Sequence, residues 1–172
     1  IVEKEFGKEV ADLVDGVTKI SVLEGKIIEH SKAENIRKLI LATSKDIRVL
    51  LVKIADRLHN MRTLDSISKE DRRLRIAKET MEIYAPLANR MGMNHIRDEL
   101  EDLSFQKLNP EARKLVVERL SLNKKNRDNT FKEISLKFTK VLKENKIKAR
   151  IVGREKTPFA IWRKMQSRRV SL

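Results

Sequence analysis

Apolar residues recur every three or four positions between residues 47 and 63, and this spacing constrains the fold more than any other feature of the sequence. On a helix with about 100° between successive residues, they all fall on one broad face. These residues are Ile47, Leu50, Leu51, Ile54, Leu58 and Met61. Such a stripe predicts an amphipathic helix whose apolar face packs into a core. Because the chain contains only 5 Gly and 3 Pro, the composition favours a helix-rich protein over a β-sandwich or a disordered chain.

The opposite side of the same predicted helix carries an unusual set of side chains. Asp56, Asn60 and Thr63 fall within a stripe about 60° wide, and Val49 and Val52 continue that stripe towards the N-terminus. Valines are not expected on a plain solvent-facing surface, so we expect this helix to pack on both sides and to enclose Asp56 in part. An enclosed carboxylate must be paired, hydrogen-bonded or bound to a metal.

Two interpretations of Asp56 remain open at this point. The carboxylate can pair with a neighbouring cation, for which Lys53 and Arg57 are candidates, or it can bind a ligand or a metal. His59 lies at the edge of the stripe, and a single His in such a place is more often structural than catalytic. The chain has 3 His and no Cys, and no H-x-x-x-H or His-Asp pair lies close by, which argues against a self-contained metal site.

Local signals predict the helix boundaries in the first quarter of the chain. Residues 2–14 are predicted to form a helix that breaks at Gly16, where glycine supplies a turn. An S-x-x-E pattern beginning at Ser31 matches a capping box and predicts a helix over residues 33–44. Asp46 is expected to open the helix described above.

Further signals predict the helices that follow. A second capping pattern, S-x-x-D, begins at Ser68 and precedes a long periodic run, which Pro86 is expected to bend or interrupt. Asn109 and Pro110 are predicted to end one helix and to start the next. Residues 127–145 again have helical spacing.

The period changes to two in "KIKARIVGR", which is typical of a half-buried strand. We therefore predict a strand over residues 147–152. A lone strand has no sheet to join, so this segment is expected to be poorly ordered or repacked.

The net charge of +14 is uneven along the chain. Residues 143–172 hold ten Lys and Arg against only Glu144 and Glu155. This excess favours partners such as nucleic acid, nucleotides or an acidic membrane face. The sequence contains no run of about 18 apolar residues that would predict a membrane span, and the lack of Cys is compatible with a reducing, cytoplasmic setting.

Four stretches together resemble the RelA/SpoT family, whose members synthesise and hydrolyse the alarmone (p)ppGpp. They are "FGKEVADLVDGVTKI", "ENIRKLILATSKDIRVLLVKIADRLHNMRTL", "YAPLANRMGMNHIRDELEDLSF" and, at the synthetase end, "GREKTPFAIWRKMQ". The resemblance implies a mainly α protein. Residues 1–92 would form the C-terminal part of an HD-type hydrolase domain, residues 93–145 connecting helices, and residues 146–172 the first strand and helix of an α/β nucleotidyltransferase-like synthetase domain.

The resemblance also implies roles for the polar stripe. Asp56 would be a ligand of the hydrolase's manganese ion, whose role is to activate a water for attack on the 3′-pyrophosphate, and Asn60 and Thr63 would line the guanosine nucleotide pocket. In the family, a His and a His-Asp pair that also hold this ion lie upstream of "FGKEVADLVDGVTK". The chain alone is therefore expected neither to hold the metal tightly nor to hydrolyse (p)ppGpp, unless a separate chain carrying the upstream HD segment completes the site.

At the synthetase end, three basic residues match family positions that contact the ATP donor. They are Arg154, Lys156 and Lys164. Three neighbouring positions depart from the pattern, since Thr157, Phe159 and Ala160 stand where a basic or His residue, a Tyr and a Ser are usual. The acidic residues that bind magnesium in the family lie further downstream, so we expect no synthetase activity from this chain.

Three functional interpretations remain open from the sequence. The first is a partial (p)ppGpp hydrolase that needs a partner segment, with self-association as a side effect of exposed apolar faces. The second is a regulatory module without chemistry, which binds a guanine nucleotide weakly or docks on an intact family member. The third is a nucleic-acid binder, suggested by the charge alone.

Overall fold

The computed structural model describes residues 1–24, 37, 41 and 46–168. The chain divides into two compact units, Ile1–Leu108 and Asn109–Leu172. The capping box predicted at Ser31 lies outside the described residues. So does the helix predicted over 33–44, apart from residues 37 and 41, which are helical.

Helices build the described part of both units. In the first unit they are α1 (Val2–Glu24), α2 (Ile47–Arg62), a 3₁₀ turn (Leu64–Ser66), α3 (Glu70–Glu79), a π-helical turn (Thr80–Tyr84), α4 (Ala85–Arg90) and α5 (Asn94–Leu108). In the second unit they are α6 (Pro110–Leu122), α7 (Lys124–Glu144) and α8 (Pro158–Arg168). The predicted mainly helical fold is therefore confirmed, and none of the described helices is long and apolar enough to cross a membrane.

Several predicted boundaries are confirmed. The Asp46 carboxylate accepts a hydrogen bond from the Arg48 amide at 2.9 Å, so Asp46 is the N-cap of α2. Pro110 is the first residue of α6, directly after α5 ends. The interruption expected at Pro86 is present as the π-helical turn that precedes α4.

Three local predictions are wrong. The first helix does not break at Gly16 but continues to Glu24, and its one non-helical residue is Gly7, with φ 83° and ψ 166°. The capping pattern at Ser68 is not used, because α3 begins at Glu70 and no side chain caps it. Residues 147–152 form no strand, since the described part of the chain offers no second strand to pair with.

Gly16 is needed for packing rather than for a turn. A Cβ added there would lie 2.7 Å from Cγ2 of Val49 on α2, closer than van der Waals contact allows. Ile20, one turn further along α1, is fully buried in the same core. A glycine in the middle of α1 therefore lets α1 and α2 approach each other closely.

We expect Gly16→Ala to destabilise the protein, although Ala favours a helix by about 1 kcal/mol over Gly. Overpacking against Val49 costs about 1–3 kcal/mol, so a net loss of about 1 kcal/mol should appear in urea denaturation followed by circular dichroism. Gly16→Ala in a Val49→Ala background is the matched control and should stabilise relative to Val49→Ala alone. A gain in stability in the wild-type background would contradict the packing argument.

The core of the first unit forms on the inner face of α2. Leu50, Ile54, Leu58 and Met61 are all buried there, as the apolar spacing predicts. They pack with buried residues of the other helices of this unit, among them Ile20, Ala77, Ile83, Tyr84, Leu87 and Leu100. Two residues assigned to this face from the sequence, Ile47 and Leu51, are exposed to 49% and 37% instead.

The second unit is built around α6, which packs against α7 and α8. Val116 of α6 and Phe159 of α8 are its buried apolar side chains in the described part of the unit. The chain between α7 and α8 has no regular secondary structure. It passes so close to α7 that a Cβ at Gly153 would lie 2.2 Å from the Phe131 ring. The segment predicted as a strand is thus packed on a helix.

Candidate functional site

The polar stripe of α2 is exposed along its length. Asp56, Asn60 and Thr63 lie on one side of the helix over about 10 Å, since each residue rises about 1.5 Å. The Asp56 side chain is 51% exposed, so the partial enclosure expected from the sequence is wrong. Of the two valines that continue the stripe, Val49 is buried beneath α1, whereas Val52 is exposed to 47%. The helix therefore packs on two sides but leaves the polar stripe open.

Lys53 contacts Asp56 from the buried side of the helix. Its ammonium lies 3.7 Å from an Asp56 carboxylate oxygen, while only 7% of the Lys53 side chain is exposed. A lysine can bury its methylene stem and still place its charged end at the edge of a polar surface. Pairing of Asp56 with Lys53, one of the two candidates from the sequence, is thus present in the structure.

Arg57, the other candidate, points into the protein instead. Its guanidinium donates a hydrogen bond to the Glu79 carboxylate at 3.0 Å and lies 4.1 Å from the centre of the Tyr84 ring. The side chains of Arg57 and Glu79 are 10% and 24% exposed. This contact joins the inner side of α2 to the end of α3 and to the π-helical turn, and so fixes how α2 is rotated.

The C-terminal end of α2 is held by two further contacts. The Thr63 hydroxyl donates to the His59 carbonyl at 3.0 Å. Arg62 donates to Glu99 of α5 at 2.6 Å, and this hydrogen bond holds the pKa of the Glu99 carboxyl below its usual value. Asn60 and Thr63 are therefore presented from an anchored helix end.

The described residues do not by themselves make a metal centre. No group of three or more His, Asp or Glu that could hold an ion occurs among residues 1–24 and 46–168. Asp56 offers one carboxylate, and a hard divalent cation requires several oxygen or nitrogen ligands at once. Asp56 thus fits a metal only as one member of a larger ligand set.

The basic residues assigned to the synthetase end lie in the second unit. The positive charges of Lys156 and then of Arg168 lower the pKa of the Lys164 ammonium below its usual value. Arg154 is exposed two residues before Lys156. The Thr157 hydroxyl accepts a hydrogen bond from the Ala160 amide at 3.2 Å at the start of α8. Thr157, which departs from the family pattern, thus has a local role at a helix N-terminus.

Sequence reasoning missed the partners of Arg57. Glu79 and Tyr84 are five residues apart, and the π-helical turn between them is what brings both to one guanidinium. No helical or strand period in the sequence indicates such a turn, although π-helical turns often accompany functional sites. The sequence predicts only that the long helical run is interrupted, because it contains Pro86.

The sequence profile of the HD domain matches residues 1–94, more than half of the chain. This match defines the first unit as an HD-type helical domain. Hydrolases of the HD-domain family depend on a divalent metal ion.

Comparison with individual relatives shows which HD-domain proteins this chain is similar to. The chain is 49% identical over 99% of its length to the "GTP pyrophosphokinase rsh" of Brucella melitensis. It is 46% identical over 95% of its length to the "Guanosine-3′,5′-bis(diphosphate) 3′-pyrophosphohydrolase" of Haemophilus influenzae. It is 45% identical over 95% of its length to the "Bifunctional (p)ppGpp synthase/hydrolase SpoT" of Escherichia coli. The chain belongs to the RelA/SpoT family of HD-domain proteins, and it spans 22% to 24% of the length of these relatives.

Proposed function

We propose that the first unit contributes Asp56, Asn60 and Thr63 to the site of a (p)ppGpp 3′-pyrophosphohydrolase. The observation that supports this most is the open polar stripe on α2, whose other sides are fixed in the core by Arg57 and Val49. Relatives named for both hydrolysis and synthesis of guanosine polyphosphates match nearly the whole chain. A rigid helix that presents three polar side chains is suited to hold a nucleotide in one orientation.

Each residue of the stripe has a chemical role in this proposal. Asp56 would supply one carboxylate ligand to Mn²⁺, and the remaining ligands would come from outside the described residues. The Asn60 amide can both donate and accept hydrogen bonds with the guanosine moiety. The Thr63 hydroxyl donates its proton to the His59 carbonyl, so towards a nucleotide it would act as an acceptor. The Lys53 ammonium keeps Asp56 charge-balanced until a cation binds.

The second unit is proposed to include the start of a synthetase domain. Arg154, Lys156 and Lys164 would contact the ATP donor there, by charge-assisted hydrogen bonds to phosphate or by stacking of Arg154 on the adenine. Within this proposal residues 1–92 belong to the hydrolase domain, residues 93–145 form helices that connect the two domains, and residues 146–172 begin the synthetase domain. The Mg²⁺ ligands of the synthetase would come from residues further downstream in the family. A cytoplasmic location and self-association are further predictions of this proposal.

A non-catalytic module that binds guanosine polyphosphates is the second candidate. It is favoured because residues 1–24 and 46–168 contain no group of three or more His, Asp or Glu that could hold a metal ion. Both candidates predict binding of guanosine polyphosphates, and they differ in whether turnover can be restored.

The test is manganese-dependent hydrolysis of (p)ppGpp by the purified chain alone and by the chain mixed with the HD segment that precedes this region in the Haemophilus influenzae relative. We expect release of pyrophosphate only in the mixture. If neither sample hydrolyses (p)ppGpp although circular dichroism shows that the proteins are folded, the non-catalytic module is the supported function. Turnover by the chain alone would mean that residues outside those described complete the metal site.

A further inference from the structure

Lys53 is an unexpected side chain for the buried part of α2. Only 7% of the side chain is exposed, although lysine is almost never fully buried in proteins. The Asp56 carboxylate that its ammonium approaches at 3.7 Å is itself 51% exposed, so water can solvate Asp56 without a lysine. A pair with an exposed carboxylate contributes little to stability, and an apolar side chain often replaces a buried charge without loss. Stability alone therefore does not explain the pairing of Lys53 with Asp56.

The position of Lys53 on α2 places its ammonium beside the proposed (p)ppGpp site. Lys53 precedes Asp56 by three residues and Asn60 by seven, so it lies about 20° around the helix from Asn60. Its methylene stem is held in the protein interior, and its charged end reaches the edge of the open polar stripe beside Asp56. A positive charge is thus fixed at the N-terminal end of the polar stripe.

A polyphosphate ligand requires a positive charge at such a place. Asp56 is negative, and Asn60 and Thr63 are neutral, so the polar stripe without Lys53 would repel an anion. A lysine ammonium is a compact charge with three N–H donors, and it forms short, charge-assisted hydrogen bonds to phosphate. A cation that binds Asp56 competes with Lys53 for the carboxylate, which leaves an N–H donor of Lys53 for a phosphate oxygen.

We propose that Lys53 binds the 3′-pyrophosphate of (p)ppGpp and so distinguishes this substrate from guanosine nucleotides that lack the group. This inference rests on the proposed function of the polar stripe, and it adds a residue that contacts the phosphates to be removed. Removal of the 3′-pyrophosphate from guanosine 3′,5′-bis(diphosphate) leaves GDP. Lys53 therefore favours the substrate over the product.

The test compares the binding of guanosine 3′,5′-bis(diphosphate) and GDP to the 172-residue chain without divalent metal. Amide chemical shifts of α2 in a ¹⁵N-labelled sample report binding at the polar stripe separately from binding to the basic second unit. We expect the wild type to prefer the bis(diphosphate). Lys53→Met keeps most of the stem but removes the charge, so it should reduce this preference at least about 10-fold, the effect of one hydrogen bond to a charged group. Its affinity for GDP should change little.

Lys19→Met is the matched control. It also removes one positive charge from a lysine that pairs with an aspartate of its own helix, Asp15 on α1. This variant should keep the wild-type preference for the bis(diphosphate). No preference in the wild type, or equal losses of preference in the two folded variants, would overturn the proposal.

Hydrolysis by the mixture with the upstream HD segment separates this inference from the proposed function. Lys53→Met should lower kcat about 100-fold, as loss of one donor to a developing negative charge does, without raising the Mn²⁺ concentration that gives half the maximal rate. A raised Mn²⁺ requirement would mean that Lys53 acts through Asp56, and full turnover by Lys53→Met would remove Lys53 from the site; either result would overturn the inference and leave the hydrolase function standing. A preference that depends on Lys53, without turnover by the wild-type mixture, would support the phosphate contact and contradict the hydrolase function.

Discussion

In a mixture of the chain with the upstream HD segment, an Asp56→Asn variant is expected to lose at least about 100-fold of the proposed manganese-dependent (p)ppGpp hydrolysis. Replacing residues that merely orient metal ligands already reduces metal affinity or activity by about 10–100-fold. Loss of a metal ligand itself should reduce activity by more than loss of a residue that only orients a ligand. The amide keeps the size of the side chain but lacks the negative charge that a hard cation prefers.

The same variant should leave folding almost unchanged, which separates a catalytic loss from a structural one. Asp56 is 51% exposed and 3.7 Å from the Lys53 ammonium, and an exposed pair of this kind contributes at most about 1 kcal/mol. Asp71→Asn, at an exposed position of α3, is the matched control and should retain full activity. Pyrophosphate release measures the effect, and wild-type turnover by Asp56→Asn would remove this residue from the metal site.

Arg57→Met is expected to destabilise the first unit by about 3 kcal/mol. The substitution leaves Glu79 without the guanidinium that satisfies it at 3.0 Å. Removing one partner of a buried pair costs about 3–5 kcal/mol, and the lower end applies because Glu79 keeps 24% exposure. A loss of this size is a large part of the total stability of a small domain, about 5–15 kcal/mol.

A double-mutant cycle tests this interpretation by urea denaturation. Arg57→Met combined with Glu79→Leu should recover most of the loss, since an apolar replacement of both partners leaves no unpaired charge. Tyr84→Phe should change stability little, because it keeps the ring beneath Arg57. The Tyr84 hydroxyl has no hydrogen-bond partner in the described structure, so removing it leaves no other polar group without a hydrogen bond. A change below about 0.5 kcal/mol for Arg57→Met would place it among ordinary surface substitutions.

The sequence predicted the elements that depend on local chemistry. Asp46 caps α2 because a carboxylate can bond to the orphan amides of the next turn wherever the helix lies. Pro110 begins α6 because its missing N–H is not needed in a first turn. The inner face of α2 follows from spacing alone, as Ile54 and Met61 show.

Predictions that depend on neighbours in space failed or were incomplete. The sequence predicts a break at Gly16, whereas α1 continues to Glu24. A glycine is needed at this position because Val49 of α2 occupies the space that a side chain would need. The alternation after Asn145 predicts a strand, but a strand forms only when a second one pairs with it.

The sequence by itself determined that the chain is helical, where α2 begins and ends, and which three polar side chains share one side of it, because helix geometry fixes these from spacing alone. Only the tertiary structure decided that this side is open and that Arg57 faces inward. Burial and ion pairing depend on residues distant along the chain, here Glu79 at the end of α3 and Tyr84 of the π-helical turn. The rotation of α2, and with it the direction of Asp56, is therefore set by contacts that no local pattern contains.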